Sequence, residues 1–218
     1  MAKHERNGIR KTREELRKRR TPSLGYYLIV TDTKETERNY LYGLRDSIPE
    51  KLQGKLVIKV SKTKTFRLVE EAMELASFNP QYGEPWIVFD RDEVTDFDGI
   101  VKDAKAHGIN VGWSNPCIEI WFHSYFGSIP NYSGSVKCCE EFSRKFTATT
   151  STIYKKSDDD IYDKLCLYGD EKQAIKVAKE KFAEHRSNGK CKPSEMQPAT
   201  TLYMLVEEIK NKIDAEEK

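Results

Sequence analysis

Long apolar runs are missing from this 218-residue chain. No stretch approaches the roughly 20 apolar residues that a membrane-crossing helix needs, so no span is expected. The glycine patterns that cradle phosphates are missing too. There is no Gly-x-x-x-x-Gly-Lys-Ser/Thr loop and no Gly-x-Gly-x-x-Gly after the first apolar run. That argues against ATP hydrolysis by a P-loop and against a standard dinucleotide enzyme. Histidine is scarce, at four, and no His-Glu-x-x-His occurs. The five cysteines (Cys117, Cys138, Cys139, Cys166, Cys191) are odd in number and lack Cys-x-x-Cys spacing. Neither residue type therefore signals zinc, and the cysteines read as reduced thiols of a cytoplasmic protein. No apolar region follows the basic N-terminal residues, so a secretory signal is not expected.

Charge is abundant and unevenly placed. Residues 1–24 hold nine Lys or Arg against three Glu, an excess of +6 in a chain whose net charge is +2. The remainder therefore carries −4. Arg17-Lys18-Arg19-Arg20 is the densest part of this tail and suits a phosphate backbone or a partner's acidic surface. The tail has no aromatic residue, so base stacking would have to come from elsewhere. A solvated tail without a ligand fits the same residues.

The body begins near residue 25. Tyr26–Thr31, Leu56–Val60, Pro85–Phe89 and Ile109–Trp113 are short, β-prone and apolar, as buried strands are. Helices are predicted between them over Thr36–Asp46, from Thr65 to about Ala76 with Phe66, Val69, Ala72, Met73 and Ala76 as its stripe, and over Phe97–His107. A further helix should run through Cys117–His123. This alternation predicts an α/β class with a small, mostly parallel sheet covered on both faces. After it, helices are expected near 135–146, 157–166, 171–184 and 199–214, with a loop over 187–198. The expected organisation is a basic tail (1–24), an α/β core (25–127) and a helical extension or cap (128–218).

Acids gather where the strands end. Asp90-Arg91-Asp92-Glu93 follows the third strand, and Asp32 follows the first. In a parallel sheet both fall on the carboxyl edge, where ligands bind. If extended backbone continued through Asp90 and Asp92, both side chains would leave one face. Magnesium takes a few hard oxygen ligands and keeps several waters, which suits Asp32, Asp90 and Asp92. Ordinary turn acidity is the competing explanation. Lys34 would bind phosphate or relieve repulsion, or is simply a solvated turn charge. Glu37 reads as an acid favoured at a helix start. Glu119 lies in an otherwise apolar neighbourhood and needs a partner or a solvent opening. His123, one turn on, is a candidate proton donor or a satisfied core histidine.

Four segments resemble RloB-like proteins in sequence and order. They are Ile29-Val30-Thr31-Asp32-Thr33-Lys34-Glu35-Thr36-Glu37-Arg38-Asn39-Tyr40, Phe89-Asp90-Arg91-Asp92, Ser114-Asn115-Pro116-Cys117-Ile118-Glu119-Ile120-Trp121 and Pro198-Ala199-Thr200-Thr201-Leu202-Tyr203. The resemblance covers about residues 25–210. It implies a TOPRIM-related, Rossmann-like fold with magnesium (or manganese) on Asp32, Asp90 and Asp92. It also implies a bacterial restriction or phage-defence setting, often beside an ABC-type ATPase. Related effectors act as nucleases, including on tRNA. The usual opening, Glu-Gly-Glu-x-Thr-Glu, is here Asp32-Thr33-Lys34-Glu35-Thr36-Glu37, so the glycine and the second acid are replaced.

Two functions follow. The first is a magnesium-dependent nuclease, with RNA favoured over DNA. Glu119 would orient water or act as base, Lys34 and Arg91 would contact phosphate, and His123 would be a candidate for protonating the leaving group. The second is a noncatalytic subunit that binds nucleic acid or the ATPase. A homo-oligomer is compatible with either.

Overall fold

The computed structural model describes residues 24–216, apart from Thr63, Pro80, Glu93 and Ser133. The Arg17–Arg20 segment and Glu93 thus lie outside the described residues. Five strands form one sheet: β1 (Tyr26–Thr31), β2 (Leu56–Val60), β3 (Tyr82–Asp90), β4 (Asn110–Asn115) and β5 (Ala199–Thr200). Their order is β2-β1-β3-β4-β5. The first four run parallel, and β5 is antiparallel to β4. The nine α-helices of the described residues are α1 (Thr36–Asp46), α2 (Glu50–Gln53), α3 (Leu68–Phe78), α4 (Phe97–Ala106), α5 (Glu119–Ser124), α6 (Ser135–Thr150), α7 (Ile161–Tyr168), α8 (Glu171–Ser187) and α9 (Leu202–Glu216). The architecture is a Rossmann-like α/β core with helices dominating the C-terminal half. No described helix is long and apolar enough to cross a membrane.

Strand parity divides the core. Tyr27 and Ile29 of β1, with Trp86 and Val88 of β3, enter one apolar cluster. Leu28 and Val30, with Ile87 and Phe89, enter the other. Successive side chains of a strand point to opposite faces, so each strand feeds both clusters and must be apolar throughout. Helices α3 and α4 cover the second face. Helices α1, α5, α6, α7 and α9 cover the first, in a cluster continuous across residue 127.

Two expectations shift in detail. The segment from Thr65 opens as a 3-10 turn (Thr65–Arg67) before α3 begins at Leu68. That tighter winding changes the helical phase. Leu68, Val69 and Ala72 are buried, whereas Phe66 (65% exposed) and Met73 (41%) face outward. The segment after Gln197 opens as the short strand β5 before α9 begins.

The chain leaves β1 toward β2 on one side and returns to β3 on the other. A switch point therefore lies between β1 and β3, and ligands of open α/β sheets bind outside the carboxyl ends there. Thr31 pairs with Val88, so Asp90 extends two residues past the last pair with β1. Helix α1 starts beside it and is clamped to α5. Tyr40 packs on Trp121 and Phe122 with ring centroids 6.3 and 5.5 Å apart, and its hydroxyl lies 3.0 Å from that of Tyr125. At Gly43 a Cβ would collide with Tyr162, so glycine lets α1 approach α7 closely.

Candidate metal centre

Asp90 has the parity of Trp86 and Val88, which places its side chain on the α1–α5 face. There it interacts electrostatically with Glu37, in the first turn of α1, and with Glu119, the first residue of α5. Glu37 and Glu119 are 3% and 1% exposed. Ile118 N–H donates to Asp90 Oδ2 at 2.9 Å. Tyr154 donates its hydroxyl to Glu119 Oε1 at 2.9 Å. Glu119 Oε2 is buried with no hydrogen-bond partner.

Crowding perturbs Glu37 and Asp90 as expected for charges denied water. Burial pushes the Glu37 carboxyl up to about 7, against hydrogen bonds from its own backbone and with Asp90 and Thr33, and Glu119 adds repulsion. Asp90 rises well above the ordinary carboxyl range, through desolvation and then through Glu37 and Glu119. Both shifts favour the protonated carboxyls, and a bound cation would oppose them.

The trio opens into a cleft of about 980 Å³ at the carboxyl edge. Seven carboxylates and three lysines (Lys34, Lys64, Lys156) line it. An anionic ligand would meet net repulsion there unless a cation bound first. Hard oxygen donors in this number fit magnesium or manganese. The unpartnered Glu119 oxygen is a lone pair without a ligand from the protein.

Of the other sequence candidates, Asp32, Lys34 and Asp92 line the same cleft, and Arg91 and His123 lie away from it. Asp32 lines the cleft, and its carboxylate accepts from the Thr33 hydroxyl at 3.4 Å and from the Thr65 hydroxyl. Asp92 is exposed at the rim and accepts from Ser135 Oγ at 2.6 Å. The condition that would align it with Asp90 is not met. Arg91 N–H still pairs with Ser114 O of β4 at 2.8 Å, and the backbone then turns, with Val94 N–H bonded to Arg91 O at 2.7 Å. Lys34 is exposed at the cleft.

Arg91 points to the loop before β5. Its Nη1 donates to Ser194 O at 2.9 Å and to Asn115 Oδ1 and Gln197 Oε1 at 3.3 Å. Asn115 holds the same loop, donating to Pro193 O at 3.0 Å. His123 lies among aromatic rings, 5.6 Å from Tyr132 and 5.8 Å from Phe142. Burial lowers its pKa to about 4, and Nε2 has no partner.

Lys156 is a cleft residue that no sequence motif marks. It lines the cleft from the α6–α7 connection, and its backbone carbonyl accepts from Thr36 Oγ1 at 3.3 Å. Burial works against its ammonium charge, but Glu119, Cys139, Cys117 and Asp90 together raise its pKa. Glu37 did carry a signal, as the acid of the Thr36-Glu37 pair at the start of a helix that leaves the carboxyl edge.

A second set of donors adjoins the trio. Cys117 Sγ, a Glu119 carboxylate oxygen and Cys139 Sγ all lie within 4.8 Å of one another, a spacing that could hold a metal ion.

Neither the curated proteins nor the solved structures provide a match. A family model does: that of the RloB-like protein matches residues 27–209. With most of its length accounted for in this way, the chain belongs to the RloB-like family.

Proposed function

We propose that this protein is a magnesium-dependent nuclease whose metal is held by Glu37, Asp90 and Glu119. The carrying observation is that Glu37, Asp90 and Glu119 line one cleft at the sheet's carboxyl edge, two of them almost fully buried, with one oxygen unpartnered. Such crowding is costly without a cation. Asp32 and Asp92 line the same cleft and are the further ligands that the family resemblance implies. Bound magnesium would neutralise charge developing on a phosphodiester and lower the pKa of a coordinated water.

The protein's own groups would do the rest. Tyr154 fixes one Glu119 oxygen, leaving the other as the oxygen that would hold the cation. Lys34, Lys64 and Lys156 offer cations to flanking phosphates. RNA is favoured over DNA through the family resemblance, which also supports an antiviral, abortive-infection role and an ABC-type ATPase partner.

One observation favours a noncatalytic binding subunit instead. Lys34 stands where the family opening has an acid, and it is exposed at the cleft. Incubating the full chain with RNA or DNA, with magnesium, manganese or EDTA, separates the two. The nuclease reading predicts metal-dependent cleavage that Asp90→Asn abolishes. Equal cleavage by that variant sinks it, and absence of cleavage with and without the ATPase favours the binding subunit.

A further inference from the structure

We infer that Cys117, Cys139 and Glu119 form a second metal site, one that takes a thiophilic divalent cation of the zinc class. This goes beyond the nuclease reading, and the two clusters share only Glu119.

The geometry is that of a preformed site. With Zn–S bonds of about 2.3 Å, two thiolates on a tetrahedral ion sit about 3.8 Å apart. Cys117 Sγ and Cys139 Sγ are 3.9 Å apart. A disulfide would need about 2.05 Å, so the sulfurs stand at ligand spacing rather than bonding distance. Glu119 brings a carboxylate oxygen within 4.8 Å of both. It is 1% exposed, and its Oε2 has no partner. Two thiols and a buried carboxylate at this spacing form a ligand set that an ion would complete, because burial of a lone charge is costly.

The donors differ in hardness from the neighbouring trio. Two sulfurs select zinc-like ions over magnesium. Cys139 also lines a surface groove of about 780 Å³ with Tyr154 and Lys156, which provides access and room for a fourth ligand such as water. Lys156 is the charge that opposes a cation here. A metal on Glu119 would take over its role as counter-charge. The sequence hides this site because its cysteines lie 22 residues apart, one before α5 and one within α6.

Anaerobic titration of the reduced full chain with cobalt(II) reads the site directly. We expect a thiolate-to-cobalt charge-transfer band saturating at one ion per chain and bleached by zinc. Cys117→Ser and Cys139→Ser should each weaken binding at least about tenfold. Glu37→Gln, which alters only the carboxylate trio, should keep the band. The exposed pair Cys166→Ser/Cys191→Ser should keep it as well. X-ray absorption of zinc-loaded wild type adds a readout that needs no variant to fold, with two sulfur ligands expected. No charge-transfer band, a band surviving in Cys117→Ser/Cys139→Ser, or a zinc shell without sulfur would overturn the proposal and leave a hydrogen-bonded thiol pair. A failure here concerns the thiolate pair and leaves magnesium at Glu37 and Asp90 standing, whereas zinc binding would compete with magnesium for Glu119.

Discussion

The backbone N–H of Ile118 donates to Asp90 Oδ2 at 2.9 Å, so the end of β3 and the start of α5 are tied through a candidate metal ligand. Asp90→Asn keeps an acceptor for that N–H, whereas Asp90→Ala leaves it unpaired. A lost partner of this kind costs about 1–3 kcal/mol. Urea unfolding should therefore rank Asp90→Ala below Asp90→Asn, although both lack the carboxylate. Equal stability of the two would show that the bond contributes nothing.

Glu37 makes the metal-free protein sensitive to pH. Its folded pKa is raised from 4.5 to about 7, so between those values the folded chain holds a proton that the unfolded chain has released. Stability should fall as pH rises through that window and level off above it. The full effect is on the order of 3 kcal/mol. Glu37→Gln should lessen this dependence, the part due to Asp90 remaining, and be the more stable form at pH 8 in EDTA. Urea midpoints of both proteins at pH 5 and pH 8 test this, since their difference isolates Glu37.

His123 titrates in the opposite sense. Its pKa is lowered from 6.5 to about 4, so its contribution is full above 6.5 and lost as pH falls through about 4. His123→Leu should flatten the acid limb of the stability curve and change neutral stability by no more than about 1 kcal/mol. Because the ring packs on Tyr132 and Phe142 away from the cleft, cleavage rates at neutral pH should stay within about twofold of wild type, a change of about 0.4 kcal/mol in barrier. A loss of two orders of magnitude in a folded variant would restore His123 as an acid or base.

Arg91 should behave as a fastener. Arg91→Ala strands two acceptors, Asn115 Oδ1 and Gln197 Oε1, and leaves Ser194 O with Asn115 Nδ2 as its remaining donor, at a cost of about 1–3 kcal/mol. Thermal unfolding should show the loss, while the salt dependence of RNA binding should be unchanged. A salt slope reduced by about one unit would instead identify a phosphate contact.

The strands and α1 are legible because burial on both faces demands continuous apolar runs, and Tyr40, Leu41 and Leu44 mark one side of a helix. Strand β5 is not legible. Two residues carry no periodicity, and the pairing of Thr200 with Ser114 depends on a contact 86 positions away. At the site, Asp90 and Glu119 can be read from the acids that follow strands. Glu37 is obscured because an acid in a helix's first turn has a ready explanation in the dipole. Its role emerges only when strand parity and the Tyr40 clamp bring α1 and α5 together. Lys156 comes from a distant connection and has no local signature.

Manganese titration of the metal-free protein, followed by electron paramagnetic resonance, tests the carboxylate centre most directly. The account predicts one tight manganese per chain in wild type, displaced by magnesium, and binding weakened more than about 100-fold in Asp90→Asn and in Glu37→Gln. Undiminished manganese binding in both folded variants would contradict it.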